Sequence, residues 1–208
     1  MKYKFVVSGS ADLGKCNEGG QSSAKACGIC SSDIFQRTEE IGREVVRQGG
    51  ILITGATTGA PYAAAKGAKE EGGVSIGISP AATYAEHVKS YRLPTENFDF
   101  IIYTGFNYSG RNLILTKAAD AVIIACGGFG TLNEFTIALE DNKPIGVLEG
   151  SGGVTEEIAR LLENVKDPHR HGAGKVVFSK NPKELISKLT ELIKKELKEP
   201  GEVDNTGE

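Results

Sequence analysis

The stretch AVIIACGGFGTLNEF, Ala121 to Phe135, joins an apolar run of strand length to a turn with three glycines, then to a segment of helical spacing that carries Glu134. A strand that feeds a helix through a tight turn is the unit of a parallel sheet, whose strands need helical crossovers. The unit recurs on both sides. Upstream, KFVVSG marks a strand near Lys4 to Ser8, and Ile34, Ile41 and Val45 share one face of a helix near Asp33 to Gln48. Between them lies a long loop, Gly9 to Ser32. ILIT, Ile51 to Thr54, is a short buried strand closed by Gly55, and Pro61 opens an alanine-rich helix to about Glu71. GGVSIGIS supplies a third strand, and PAATYAEHVKSYRLPTEN reads as largely irregular. A strand follows in DFIIYTG, Asp99 to Gly105, with a helix over Asn107 to Ala119. Downstream, the pattern predicts a helix over Thr131 to Asp141, a strand in KPIGVLE, a helix near Val154 to Val165, the polar loop DPHRHGAG and a strand in KVVFS. A last helix, KELISKLTELIKKELKE, starts with Asn181 as N-cap, Pro182 at the first helical position and Glu184 shortly after. The alternation predicts an α/β fold with a mainly parallel, roughly seven-stranded sheet. One domain is expected over residues 1–198, with a polar, disordered tail over 199–208.

The chain has 208 residues, a formal net charge of -3 and four cysteines; its sequence pI is near 5.8. Its lysines are scattered or gathered on the last helix, which gives no electrostatic footprint for a nucleic-acid polymer. Small ligands fit that balance better. No eighteen-residue apolar run marks a membrane span, and the apolar part of MKYKFVVSGSADLG is too short for a signal segment. The expected setting is cytoplasmic, where cysteines stay reduced unless they have a redox or metal role.

In an open parallel sheet, ligands bind beyond the carboxyl ends of the strands. Two glycine-rich turns lie there, TGATTGAP after ILIT and CGGFGT at the end of the strand AVIIAC. Neither is followed by the Gly-Lys-Ser or Gly-Lys-Thr of a Walker A loop, and Asn133 stands where the dinucleotide fingerprint needs a third glycine. What CGGFGT offers is backbone that can approach a ligand closely at Gly127, Gly128 and Gly130, next to unpaired amides at the start of a helix near Thr131. That combination suits an anion, most naturally a phosphate. Gly55 and Gly59 in the first turn, and Gly9 and Ser10 at the end of the first strand, are further candidates for contacts to a ligand there. A tight connection that binds nothing is the alternative reading. Glu134 likewise has two readings, because Thr131-Leu-Asn-Glu134 also matches a capping box in which the glutamate reaches back to the helix start.

The longer segment NYSGRNLILTKAADAVIIACGGFGTLNEF resembles the LONELY GUY family and its lysine decarboxylase-like (SLOG) relatives, which carry an arginine on a helix, then a strand, then Pro-Gly-Gly-x-Gly-Thr-x-x-Glu. GILITGATTGAPYAAAKGAKEEGGVSIGISP resembles the earlier glycine turn, helix and strand of that family, so the likeness spans roughly residues 4 to 150. It implies a Rossmann-like three-layer sandwich, usually a homodimer. It also implies hydrolysis of a nucleoside 5'-monophosphate to free base and ribose 5-phosphate, with Glu134 beside the developing sugar cation and Arg111 on the phosphate or the base. No cofactor is implied, and no lysine has a pyridoxal-phosphate context. Three departures stand out: Cys126 replaces the motif proline, Asn112 replaces the lysine of plant-type enzymes, and Thr54-Gly55-Ala56 replaces consecutive glycines. The Gly-Arg-Asn form looks more like a branch that includes molybdenum-cofactor carriers. A carrier or sensor of a nucleotide or pterin-like phosphate is therefore the alternative to the enzyme.

Cys16, Cys27 and Cys30 all fall in the long loop, and Cys27-Gly-Ile-Cys30 forms a C-x-x-C. In the implied fold, the first strand ends beside the end of AVIIAC, which brings Cys126 toward that loop. Four thiolates would make a zinc or iron-sulfur site, against the plainer reading of cysteine as a small hydrophobe. His87, His169 and His171 show no ligand spacing with an acid.

Overall fold

The computed structural model describes residues 2–11, 30–165 and 175–198. The tail 199–208, Cys16, Cys27, His169 and His171 lie outside the described residues. Seven strands form one sheet: β1 (Lys4–Gly9), β2 (Ile51–Thr54), β3 (Ser75–Ser79), β4 (Phe100–Tyr103), β5 (Ala121–Ala125), β6 (Ile145–Leu148) and β7 (Val176–Ser179). Their order is β4-β3-β2-β1-β5-β6-β7, and every pairing is parallel. The helices are α1 (Ile34–Arg47), α2 (Ala60–Glu70), α3 (Asn107–Lys117), α4 (Phe129–Glu140), α5 (Thr155–Asn164) and α6 (Pro182–Lys198).

Strand alternation sends successive side chains to opposite faces, and both faces here are buried. Phe5 and Val7 join Ile41, Val45, Leu52, Ala64, Leu185 and Leu189 in a core between the sheet and α1, α2 and α6. Val6 points the other way, into a core with Ile53, Val122, Ile124, Leu115, Phe135 and Ile158 between the sheet and α3, α4 and α5. The result is a three-layer sandwich. The predicted segments all appear, with ends shifted by a few residues. The stretch read as irregular after β3 contains a π-helical turn, Glu86–Ser90. There His87 is fully buried, with Nδ1 2.8 Å from the Ser79 hydroxyl and Nε2 2.9 Å from the Pro94 carbonyl. As predicted, Asn181 caps α6, its Oδ1 accepting from the Glu184 amide at 3.2 Å.

The strand order reverses at β1. The chain builds outward to β4 on one side, and α3 then carries it back across to β5 on the other. Such a switch point opens a crevice beyond the strand ends. Here it lies where Gly9 is paired with Ala125. Among the described residues, no helix is long and apolar enough to cross a membrane.

Candidate functional site

The crevice holds a cavity of about 240 Å³. Of the residues singled out from sequence, Gly9, Ser10, Gly55, Arg111, Gly128, Gly130, Thr131 and Glu134 line it. Gly59 and Gly127 do not; they shape the turns behind it. Gly127 holds φ at +91°, and a Cβ there would come within 2.1 Å of the Thr131 hydroxyl. A side chain would therefore displace that hydroxyl.

The α4 turn is open. Its N-cap is Gly128, with no side-chain cap hydrogen bond among the described residues. Among the described residues, nothing covers Gly128 and Gly130 or lies within 4 Å of where a Cβ would project from either. The amides of this first turn have no intrahelical partner, and the helix dipole adds partial positive charge there.

That start corrects the capping-box reading. The helix begins at Phe129, so Thr131 lies inside the first turn rather than at the cap, and Glu134 is too far along to reach back. Glu134 is instead 5% exposed and accepts a hydrogen bond from the Ser8 hydroxyl at the end of β1. Oriented as its hydrogen-bonding neighbours require, the Asn112 amide also donates to Glu134 Oε1 at 2.9 Å and to the Tyr108 carbonyl at 2.9 Å.

Arg111 projects from α3 to within 3.7 Å of Glu134 Oε1. Gly55 makes this possible, because a Cβ there would lie 1.7 Å from Arg111 Nη1. The guanidinium is nearly buried, and its Nε has no hydrogen-bond partner among the described residues. Burial pushes the Glu134 carboxyl above the usual carboxylate range; the Arg111 charge and the Ser8 hydrogen bond offset part of that rise. Burial also lowers the affinity of Arg111 for its proton, which Glu134 opposes. A guanidinium still keeps its charge, so the cavity floor is a cation beside a carboxyl group.

The sequence reading passes over Ser8, Thr57 and Tyr108 and treats Asn112 only as a departure, yet all four line the cavity. Signals for two were present: Ser8 ends a strand, and Tyr108 sits one helical turn before Arg111.

The cysteines bring a second correction. Cys30 and Cys126 form a disulfide, with Cα atoms 5.6 Å apart, so this pair is not held reduced. The pairing arises because Cys126 follows β5 directly while backbone contacts hold Cys30 nearby. The amide of Ser31 donates to the Ser151 carbonyl at 2.9 Å, and the amide of Cys126 donates to the Ser151 hydroxyl at 2.9 Å. Among the described residues, no cluster of His, Cys, Asp and Glu could hold a metal ion. Cys126 has φ +59°, a conformation closed to the proline of the resembled motif, whose ring holds φ near −65°. The departure is therefore built into the backbone.

An uncharacterized protein of Archaeoglobus fulgidus is 31% identical over 122 residues, 59% of this chain and 75% of that protein. Among solved structures, the structural-genomics target TM1055 matches with a TM-score of 0.72 at 24% identity, covering 92% of this chain and 99% of that one. A Moco carrier protein of Chlamydomonas reinhardtii matches with a TM-score of 0.69 at 25% identity, covering 94% and 99% respectively. The SLOG cluster4 family model matches residues 20–186. With four-fifths of its length inside that match and the glycine turn, Arg111 and Glu134 gathered at its switch point, the chain belongs to the SLOG cluster4 family.

Proposed function

We propose that the cavity binds a nucleoside 5'-monophosphate and hydrolyses its N-glycosidic bond. One observation carries this reading: the buried Nε of Arg111, unpartnered among the described residues, stands beside Glu134 in a cavity bordered by the start of α4, which no described side chain caps. A buried donor without a partner costs stability, which a ligand oxygen would restore. The phosphate would take the amides of Gly128 to Thr131 and the Thr131 hydroxyl, fixing the ribose near Glu134.

Cleavage breaks the bond between C1' and the base nitrogen and builds positive charge on the ribose ring. Glu134, in its ionised form, stabilises that charge and accepts a proton as the water oxygen bonds to C1'. Glu134 then returns that proton to the leaving base, so one water is consumed for each base and ribose 5-phosphate released and the carboxylate is regenerated. Ser8 and Asn112 hold the carboxylate in position.

A second reading has its own support. The rise in the Glu134 pKa, together with its tight hydrogen bonding, suits a structural acid in a carrier or sensor of a phosphorylated ligand. The likeness to a Moco carrier protein fits that reading too. Incubation with a panel of nucleoside monophosphates, with chromatographic measurement of free base, separates the two. Turnover that is lost in Glu134→Gln supports hydrolysis, whereas tight binding with no base released supports the carrier.

A homodimer belongs to the same proposal. Edge strand β4 exposes Phe100 and Ile102, and Leu113 of α3 is also exposed. Light scattering on the purified chain tests it, a monomer mass counting against it.

A further inference from the structure

We propose that Tyr108 is the wall on which the ligand's planar ring stacks, so that the site selects aromatic-base phosphate esters over simple sugar phosphates. This rests on the phosphate reading of the α4 turn. Tyr108 lines the cavity but is 47% exposed, a large ring left half open at the entrance to a polar site. Its orientation is held from behind. The Tyr91 ring meets it edge to face at 5.6 Å and 79°, and the Tyr91 hydroxyl donates to Asn107 Oδ1 at 2.7 Å. Asn107 itself takes φ +53°, a left-handed conformation that asparagine tolerates better than most residues.

Tyr108 and Arg111 are three residues apart on α3 and so share a helix face. The guanidinium carbon lies 5.9 Å from the Tyr108 ring centroid. The aromatic wall and the cation thus keep a fixed offset, and Pro61 and Leu115 add apolar lining to the same cavity. A ligand with an anion at one end and a flat ring at the other matches both. Stacking on an aromatic side chain tolerates any base, so it selects for the presence of a ring rather than its identity.

Isothermal titration compares ribose 5-phosphate with adenosine, guanosine, cytidine and uridine 5'-monophosphates. Wild type should bind its best nucleotide about tenfold or more tightly than ribose 5-phosphate. Tyr108→Leu should remove that advantage and leave ribose 5-phosphate unchanged, whereas Tyr108→Phe, which keeps the ring, should retain it. Circular dichroism confirms that the variants fold, and a fall in nucleotide affinity counts only for a folded variant. Equal binding of nucleotide and sugar phosphate by wild type, or a Tyr108→Leu variant that keeps the nucleotide advantage, overturns the stacking assignment alone. Failure of every phosphate ester to bind wild type overturns the phosphate reading and this inference with it.

Discussion

A carboxyl group 5% exposed, with a guanidinium 3.7 Å away, gives up hydration that the pair recovers only in part. Burial makes the protonated form of Glu134 the one that folding favours, since its folded-state pKa lies above the unfolded value. The stability this contributes is present below the ordinary glutamate value of about 4.3 and is lost as pH rises through the raised value. The unfolding free energy of wild type minus that of Glu134→Gln should therefore fall as pH rises above the ordinary glutamate value of about 4.3, measured by urea denaturation; a flat difference would show that Arg111 and Ser8 cancel the effect of burial. Gly55 gives a second residue-scale test. The clash of a new Cβ is with the end of a flexible side chain, so Gly55→Ala should still fold, as circular dichroism would show, while Arg111 swings away from Glu134. Loss of a charge-assisted bond from Arg111 to a ligand oxygen should weaken nucleotide binding by about 1.5–3 kcal/mol, read by titration. The sequence supplied the residue types at these positions. It could not show that Gly55 and Arg111, far apart in the chain, share one volume.

Two helix starts show how far local pattern reaches. At α6 the asparagine, proline and glutamate agree with one another, and the predicted cap forms. Asn181→Ala should destabilise the protein by about 1 kcal/mol and lower the melting temperature by about 2–4 °C in a scanning calorimeter. At α4 a capping-box pattern is present, yet the helix starts two residues before Thr131. Ser8 and Arg111 draw the Glu134 side chain toward β1 and α3, away from its own helix terminus. Tertiary partners outcompete a local cap because a buried carboxylate needs charge and donors that one backbone amide does not supply. The exposed start of the helix is then left to its glycines.

At the scale of the whole molecule, the Cys30–Cys126 bond ties the turn before α4 to a residue 96 positions earlier. Cross-links over such spans stabilise chiefly by restricting the unfolded chain, by about 2–4 kcal/mol. Reduction with dithiothreitol, or Cys126→Ser, should lower the unfolding free energy by that order, and reducing the denatured protein should release two additional thiols in a colorimetric titration. A reduced protein as stable as the oxidised one would rule the bond out as a support of the fold. The sequence by itself determined the alternating strands and helices, the buried parallel sheet and the glycine turn at a strand end, because periodicity and turn chemistry are local. Only the tertiary structure decided that Ser8 of β1, Gly55 after β2, Tyr108, Arg111 and Asn112 of α3 and Glu134 of α4 meet, since these four parts of the chain are brought to one crevice by the strand-order reversal at β1. Which side chain occupies the space of which glycine, and which thiol reaches which, depends on packing between elements, and no spacing along the chain encodes that.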